Sequence, residues 1–515
     1  MHRRRTVLAL MIGAAVAVVP LTAADAATAA TSTTYSVNCA AKVNGDGSSA
    51  KPWNSLSTVN GHAAFQPGDR ILLKRGTTCK GKLAPKGNGA AGNPIMIGAY
   101  GSGAKPTVAG GGTGMETATV TLKNQAWWTV QDLHVTNRSK ASSTTQFRAG
   151  VLLLNDNGGY LAGVTVQRLT VDNVTSKLYY ATGHDARDCG GIVAHTKNRG
   201  SGDGFTGLRI LNNTVTGVGR TGITTSNREY PAGADNNVRI AGNTISSTRG
   251  DGLILRGAVS ASVDHNTVKN ASNMWPCPQC MGTPGMGANA GIWATWSRDS
   301  VIEKNNVYGT HVGHGDGEGI DLDIMAERVV VQYNWIHDND GGGVLFCGSK
   351  SGIVRFNILE NNKKSAIAFI GPKGNGGSTM KASDSQVYNN TIYNSAASRA
   401  RVVRYFNGSY TTGITFKNNI VYNYGVADYL WPSKPKASAN TLVGLHGKGS
   451  PAGSSTKNPQ LKKPGSGGVG FSSLGGYKPK KASTFPRGAA IPSDVTVDFF
   501  GKKVDPKRPP RGAAG

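Results

Sequence analysis

The 515-residue chain is short of charge, of acid and of long apolar runs. Charged residues make up 17% of it, against about 25% in ordinary soluble domains, and only 29 residues are Asp or Glu. Such a composition is too poor in helix formers for a bundle or coiled coil. No segment after residue 21 is apolar for long enough to span a bilayer. Six cysteines are too few for a chain of this size to rest on a disulfide scaffold. Zinc-finger and helix-turn-helix patterns are absent, so the net charge of +27 comes without a nucleic-acid-binding motif. What is plentiful is glycine, 71 residues, roughly twice the usual share. It follows no triplet period, which excludes collagen, and 38% hydrophobic residues suffice for a core. One long repeat array fits better than several ordinary domains.

The basic charge is uneven. From Trp431 to the end, fifteen Lys/Arg face three Asp, so the tail holds +12 of the +27. An acidic polysaccharide or an anionic cell surface suits this balance as well as nucleic acid does. Residues 1–30 read as an export signal: Arg3, Arg4 and Arg5, an apolar stretch from Val7 to Leu21, then Ala24-Asp25-Ala26 as a small-x-small cleavage site. Secretion is expected, by the general route, although the consecutive arginines also admit twin-arginine export. In the stretch Trp275-Pro-Cys277-Pro-Gln-Cys280, a loop-closing disulfide is preferred to a redox pair, since no thioredoxin-like pattern surrounds it.

The middle of the chain repeats. Asn followed two residues later by a β-favouring apolar residue recurs at Asn213, Asn243, Asn266, Asn305, Asn334, Asn357, Asn390 and Asn419, in steps of 30, 23, 39, 29, 23, 33 and 29. A second anchor is Gly before an apolar residue: Gly191, Gly222, Gly252, Gly291, Gly319 and Gly343, continued by Ala366. Short β-branched runs at this period predict an all-β solenoid, a right-handed parallel β-helix of roughly ten coils with caps at both ends. The expected division is 31–125 for the N-terminal cap and first coils, 126–430 for the helix, and 431–515 for a closing coil and basic tail. Asn should serve both as a left-handed bend and as a hydrogen-bonded ladder between coils.

The site is expected where the coils swell. Nine residues separate the Asn anchor from the following Gly anchor in four coils, but 25 after Asn266 and 14 after Asn305. The extra residues, 274–290 and 311–317, should wall a groove. After each Gly, the second and fourth residues point outward. One row reads Val193, Thr224, Ile254, Trp293, Asp321, Leu345, Ala368; the other reads His195, Ser226, Arg256, Thr295, Asp323, Cys347, Ile370. Asp321 and Asp323 then share an exposed face about 6.5–7 Å apart at Cα, with Glu318 just before them. Three carboxylates within six residues suit glycoside hydrolysis, or a calcium site. Arg256 is expected to bind an anionic group, His195 to contact the substrate or, like Arg256, to stand in for a lyase base, and Trp293 and Trp296 to stack on sugar rings. His311, His314 and His337 stand near the acids, and Asp338 and Asp340 are candidates to extend them.

Both ends of the chain carry a resemblance. Asp46-Gly-Ser-Ser-Ala-Lys-Pro-Trp-Asn-Ser-Leu, Phe65-Gln-Pro-Gly-Asp-Arg and Gly92-Asn-Pro-Ile-Met-Ile-Gly resemble the opening of secreted pectate-lyase-like β-helix proteins, the pectin-lyase superfamily. Asn458-Pro-Gln-Leu and Asp498-Phe-Phe-Gly resemble their closing coil. The resemblance implies a carbohydrate-active protein without choosing its reaction. Gly317-Glu-Gly-Ile-Asp is similar to a polygalacturonase coil, with Gly342, Gly343 and Leu345 where those enzymes carry an Asp pair. Glu318-Gly-Ile-Asp-Leu is also similar to the calcium coil of a pectate-lyase family, with Leu345 and Ala368 where its lysine base would stand.

The reading is therefore a secreted, monomeric enzyme that cleaves a polysaccharide, best an acidic one. Asp321 and Asp323 would be its catalytic pair, Glu318 a third carboxylate, and Arg256, Trp293, Trp296, His195 and His337 its substrate contacts. Hydrolysis needs no cofactor. The first alternative is a calcium-assisted lyase, in which Glu318, Asp321 and Asp323 hold the ion. The second is a non-catalytic glycan-binding or cell-surface solenoid.

Overall fold

Short β-branched segments punctuated by Gly and Asn cannot bury an apolar face alone, so they stack. In the computed structural model the chain winds into a parallel β-helix whose turns pair with the turns above and below. The structure describes residues 32–515 except 115–117, 140–145, 178–185, 198–201, 228–232, 274–287, 313–314, 372–379, 407–410, 426–435 and 445–452. The leader, Trp275, Cys277, Cys280 and His314 lie outside the described residues. Three long parallel sheets of 14, 13 and 10 strands form the faces of the coil. Ten strands of the first lie between Trp128 and Lys417, the number of coils expected there. Its rungs begin earlier, at Thr34–Val37, where Cys39 and Cys79 form a disulfide.

The interior is a column of stacked side chains. Val215, Ile245, Val268, Val307, Ile336, Leu359, Ile392 and Val421 fill one line of it. Beside them runs the asparagine ladder: Asn305 donates from Nδ2 and from its backbone N–H to Asn334 Oδ1 at 3.0 and 2.9 Å, and Asn334 does the same to Asn357. The bend is made otherwise than expected. The residue before the Asn takes the left-handed conformation, with φ 55° at Asn212, 52° at Phe356 and 55° at Asn418. This frees the ladder Asn to aim its amide inward. Asn334→Ala removes an acceptor from two buried donors and is expected to cost about 3 kcal/mol, measured as a lower denaturant midpoint.

The C-terminal segment does not simply continue the stack. It runs back outside the 13-stranded sheet, packing Leu474, Tyr477 and Phe485 against Trp335, Ile358 and Tyr422. Gly512 N–H donates to the Asn418 carbonyl at 2.7 Å, and Tyr333 Oη to the Val497 carbonyl at 3.0 Å. That face is closed by the chain itself.

The 10-stranded sheet carries the site. Its strands, in chain order, are β1 (Val120–Lys123), β2 (Ala149–Asn155), β3 (Gly190–Thr196), β4 (Thr221–Asn227), β5 (Leu253–Arg256), β6 (Ala290–Thr295), β7 (Glu318–Leu322), β8 (Gly342–Cys347), β9 (Ser365–Ile370) and β10 (Arg401–Phe406).

Candidate active site

The local sequence of β7 sets the direction of every acid. Ile320 and Leu322 are wholly buried in the column. A Cβ on Gly319 would stand 2.3 Å from Ile336 Cγ2 and 2.8 Å from Asn339 Nδ2, so only glycine fits where the chain turns into the strand. Glu318 and Asp321 are thereby left on the outer side. Asp321 aligns with Trp293 on β6 and Leu345 on β8, and Val193, Thr224 and Ile254 precede them in the expected row. Asp323, just past the strand, donates its N–H to the Ala294 carbonyl at 2.8 Å.

The patch is not exposed as expected. Glu318, Asp321 and Asp323 are only 3%, 4% and 9% accessible, buried outside the column rather than within it. Glu318 Oε2 and Asp321 Oδ1 have no hydrogen-bond partner. Burial, with Asp316 and in spite of Lys364, lifts Glu318 to about 8. Burial, then the charges of Asp323, Asp316 and Glu318, push Asp321 well above the usual carboxylate range. Burial also raises Asp323, but Cys347, the Ile324 N–H, Arg187 and Trp293 all oppose the shift. Trp293 Nε1 donates to Asp323 Oδ2 at 2.8 Å.

Asp316 completes the group. It stands half-buried at the rim, and burial followed by the Asp323 charge lifts it to about 6. Gly341 on the next coil presses against its turn: a Cβ there would lie 2.5 Å from the Gly317 carbonyl carbon and 2.6 Å from the Asp316 oxygen. These are backbone atoms with little freedom to yield. Gly341→Ala is expected to displace Asp316 and lower turnover about 10²-fold, read as kcat on a cleaved glycan beside the thermal midpoint.

A cationic layer lies behind the acids. The Arg187 guanidinium sits 4.5 Å from the Trp293 ring centroid, and burial with the Arg220 charge brings it down to about 10. Arg220 pairs with Asp251 at 2.8 Å, while Asp251 Oδ1 accepts the Ala290 N–H at 3.0 Å. Arg256 Nη1 lies 3.4 Å from Asp188, and His195 Nδ1 3.9 Å from the same carboxylate.

Several expected contacts take other places. Trp293 is buried, its indole N–H on Asp323 and Arg187 over its ring, so it holds an acid in place instead of offering a sugar platform. Trp296 sits half-buried in the left-handed turn after β6, its N–H on the Ile324 carbonyl. His337 belongs to the 13-stranded sheet, between the rings of Trp335 and Tyr308 and bonded to Asn306 and Asp338. Asp338 therefore turns away from the acids. Asp340 is held by His311 and Lys363. Among the described residues no three His, Cys, Asp or Glu are grouped so as to hold a metal ion, and no helix is long and apolar enough to cross a membrane. Sequence reasoning marked Asp316 only as the pre-strand acid whose position Asp338 and Asp340 repeat, and missed Arg187, Asp188, Arg220 and Asp251.

Known proteins share this architecture. The model of the family described as right handed beta helix region matches residues 190–376. Lacto-N-biosidase of Bifidobacterium longum subsp. longum is 25% identical across 95% of this chain, which spans 36% of that protein's length. A crystal structure of GH136 lacto-N-biosidase from Eubacterium ramulus superposes with TM-score 0.60 at 22% identity, over 79% of this chain and 67% of that one. XylC in complex with xylose gives 0.55 at 12% identity, over 93% and 98%. The chain is a right-handed parallel β-helix, the fold its terminal motifs imply.

Proposed function

We propose that this protein is a carbohydrate-cleaving enzyme that hydrolyses glycosidic bonds with the acids on and flanking β7. The observation that carries the reading is the set of four carboxylates on one outer rung whose surroundings divide their charge states. Such a division assigns an acid and a base. Asp323, bonded by an indole N–H and a backbone N–H and faced by Arg187, is the carboxylate best kept charged and acts on the anomeric carbon or its water. Asp316, at the rim and titrating near 6, gives its proton to the leaving oxygen. Glu318, titrating near 8, and Asp321, pushed well above the usual carboxylate range, serve as hydrogen-bond donors to sugar hydroxyls. The pairing thus shifts from Asp321 and Asp323 to Asp316 and Asp323.

The name lacto-N-biosidase, borne by the relative aligned over nearly the whole chain, supports a glycoside-hydrolysing activity. We place the enzyme outside the cell, a reading that the Cys39–Cys79 disulfide supports. The test incubates the protein with neutral and acidic glycans, reading reducing ends and ultraviolet absorbance in parallel, with and without a chelator. Hydrolysis yields reducing ends without an unsaturated uronate and tolerates the chelator. An absorbing product lost on chelation would turn the reading to a lyase. Binding without cleavage would turn it to a glycan-binding solenoid.

A further inference from the structure

We propose that the outer face of the same sheet carries a subsite for an anionic substituent of the substrate, a carboxylate or a sulfate, built from Lys364, Arg401 and Arg404. The proposal rests on the acids of β7 being the glycoside-cleaving site and names the class of glycan they would meet. Strand register aligns the two. Asp321 pairs with Leu345, Leu345 with Ala368, and Ala368 with Arg404. In the adjoining column Gly342 pairs with Ser365, and Ser365 with Arg401, the column that Glu318 opens on β7. Three rungs at about 4.8 Å each set Arg401 and Arg404 about 14 Å along the sheet from the acids, and Lys364 stands between. In these two columns the intervening residues are small or apolar, and none is charged.

Among the described residues none of the three cations forms a salt bridge with a carboxylate. Arg401 is exposed, Arg404 and Lys364 half-buried. Lys364 Nζ donates to the Asp316 backbone carbonyl at 3.4 Å, which ties the base-rich end to the rim of the acid site. Arg404 lies with its guanidinium 3.9 Å from the Phe406 ring centroid. Burial and the neighbouring Arg401 charge pull Arg404 down, while Glu318 raises it. Two guanidinium groups held within each other's field, and in no salt bridge with a carboxylate among the described residues, suit an anion. The sequence around them repeats the bias: from Asn361 to Ala427, eight Lys or Arg stand against Asp384 alone. A guanidinium fork takes a carboxylate or a sulfate through two parallel hydrogen bonds. At this spacing the anion belongs to a sugar further along the chain than the ring being cleaved.

Calorimetric titration at fixed salt tests the subsite without relying on catalysis. The probes are trigalacturonate, a sulfated trisaccharide and neutral galactotriose, the first two distinguishing carboxylate from sulfate. At least one charged probe is expected to bind about tenfold more tightly than the neutral one. Arg401→Gln with Arg404→Gln should remove that preference, whereas Lys480→Gln with Lys481→Gln, which deletes the same charge from the tail, should keep it. Thermal unfolding confirms the fold, and the exposed Arg401→Gln alone serves if the double variant does not fold. Equal binding of charged and neutral probes overturns the proposal. So does equal loss in both double variants, or an oligonucleotide competing as well as the sugars. Asp323→Asn separates this reading from the one beneath it. Selective binding that persists in this variant, with no glycan cleaved by the native protein, keeps the subsite and removes the hydrolase. Cleavage without any charge preference does the reverse.

Discussion

Asp323→Asn is expected to lower kcat by about 10²–10⁴-fold while the coil stack stays folded, because the amide oxygen still accepts the Trp293 indole N–H. Asp316→Asn should fall by a similar factor, but the two variants differ in pH profile. Native kcat/KM should decline as pH rises through about 6, where Asp316 gives up the proton the leaving group needs. It should also decline at low pH, where Asp323 takes up a proton. With a leaving group that needs no protonation, Asp316→Asn should recover most of the rate and lose the upper limb, whereas Asp323→Asn should recover nothing. Steady-state rates on one glycan and on an activated aryl glycoside decide the matter. Recovery in both variants, or an unchanged upper limb in Asp316→Asn, would remove these role assignments.

The fold was legible because its signal is one-dimensional. Each coil repeats the same Asn and Gly anchors, and stacking turns a repeat in sequence into a column in space, so the outer row through Trp293, Asp321 and Leu345 could be counted out from glycine. The acids were legible for the same reason. What escaped was the column one step before each inward glycine, which holds Asp251 and Glu318 and leads through Ser365 to Arg401. Counting only the second and fourth positions left Glu318 without its neighbours. Arg187 and Asp188 escaped for a different reason. They lie on the short 3-10 turn Ala186–Asp188 ahead of β3, and a turn that departs from the repeat has no periodicity to place it. Burial was misjudged as well. Alternation tells which way Asp321 points but not what lies over it, and the stacking of Arg187 on Trp293 has no sequence period. His337 shows the opposite error: it follows Asp321 by sixteen residues, yet that distance carries it onto another sheet.

The acid cluster should also govern stability, and in an unusual direction. Glu318 titrates near 8 in the folded chain against 4.5 unfolded, and Asp321 is raised well above 3.8. Across that window the native state binds more protons than the unfolded one. The contribution of these groups is therefore complete below about pH 4 and is lost as pH rises through the folded values. Each proton so held tilts the curve by about 1.4 kcal/mol per pH unit. The native protein is expected to unfold at progressively lower temperature from pH 5 to pH 8, the reverse of ordinary acid denaturation by salt-bridged carboxylates. Asp321→Asn and Glu318→Gln keep the shape of the side chain and cannot ionise, so each should flatten the slope and raise the midpoint at pH 8. A buried carboxyl with an unpartnered oxygen that costs stability at neutral pH is retained where a site requires it. If the amide variants are more stable and also inactive, the acids are there for chemistry. If they are no more stable at pH 8 than the native chain, the carboxyls are partnered in solution, and the division of charge assigned to them above fails with that result.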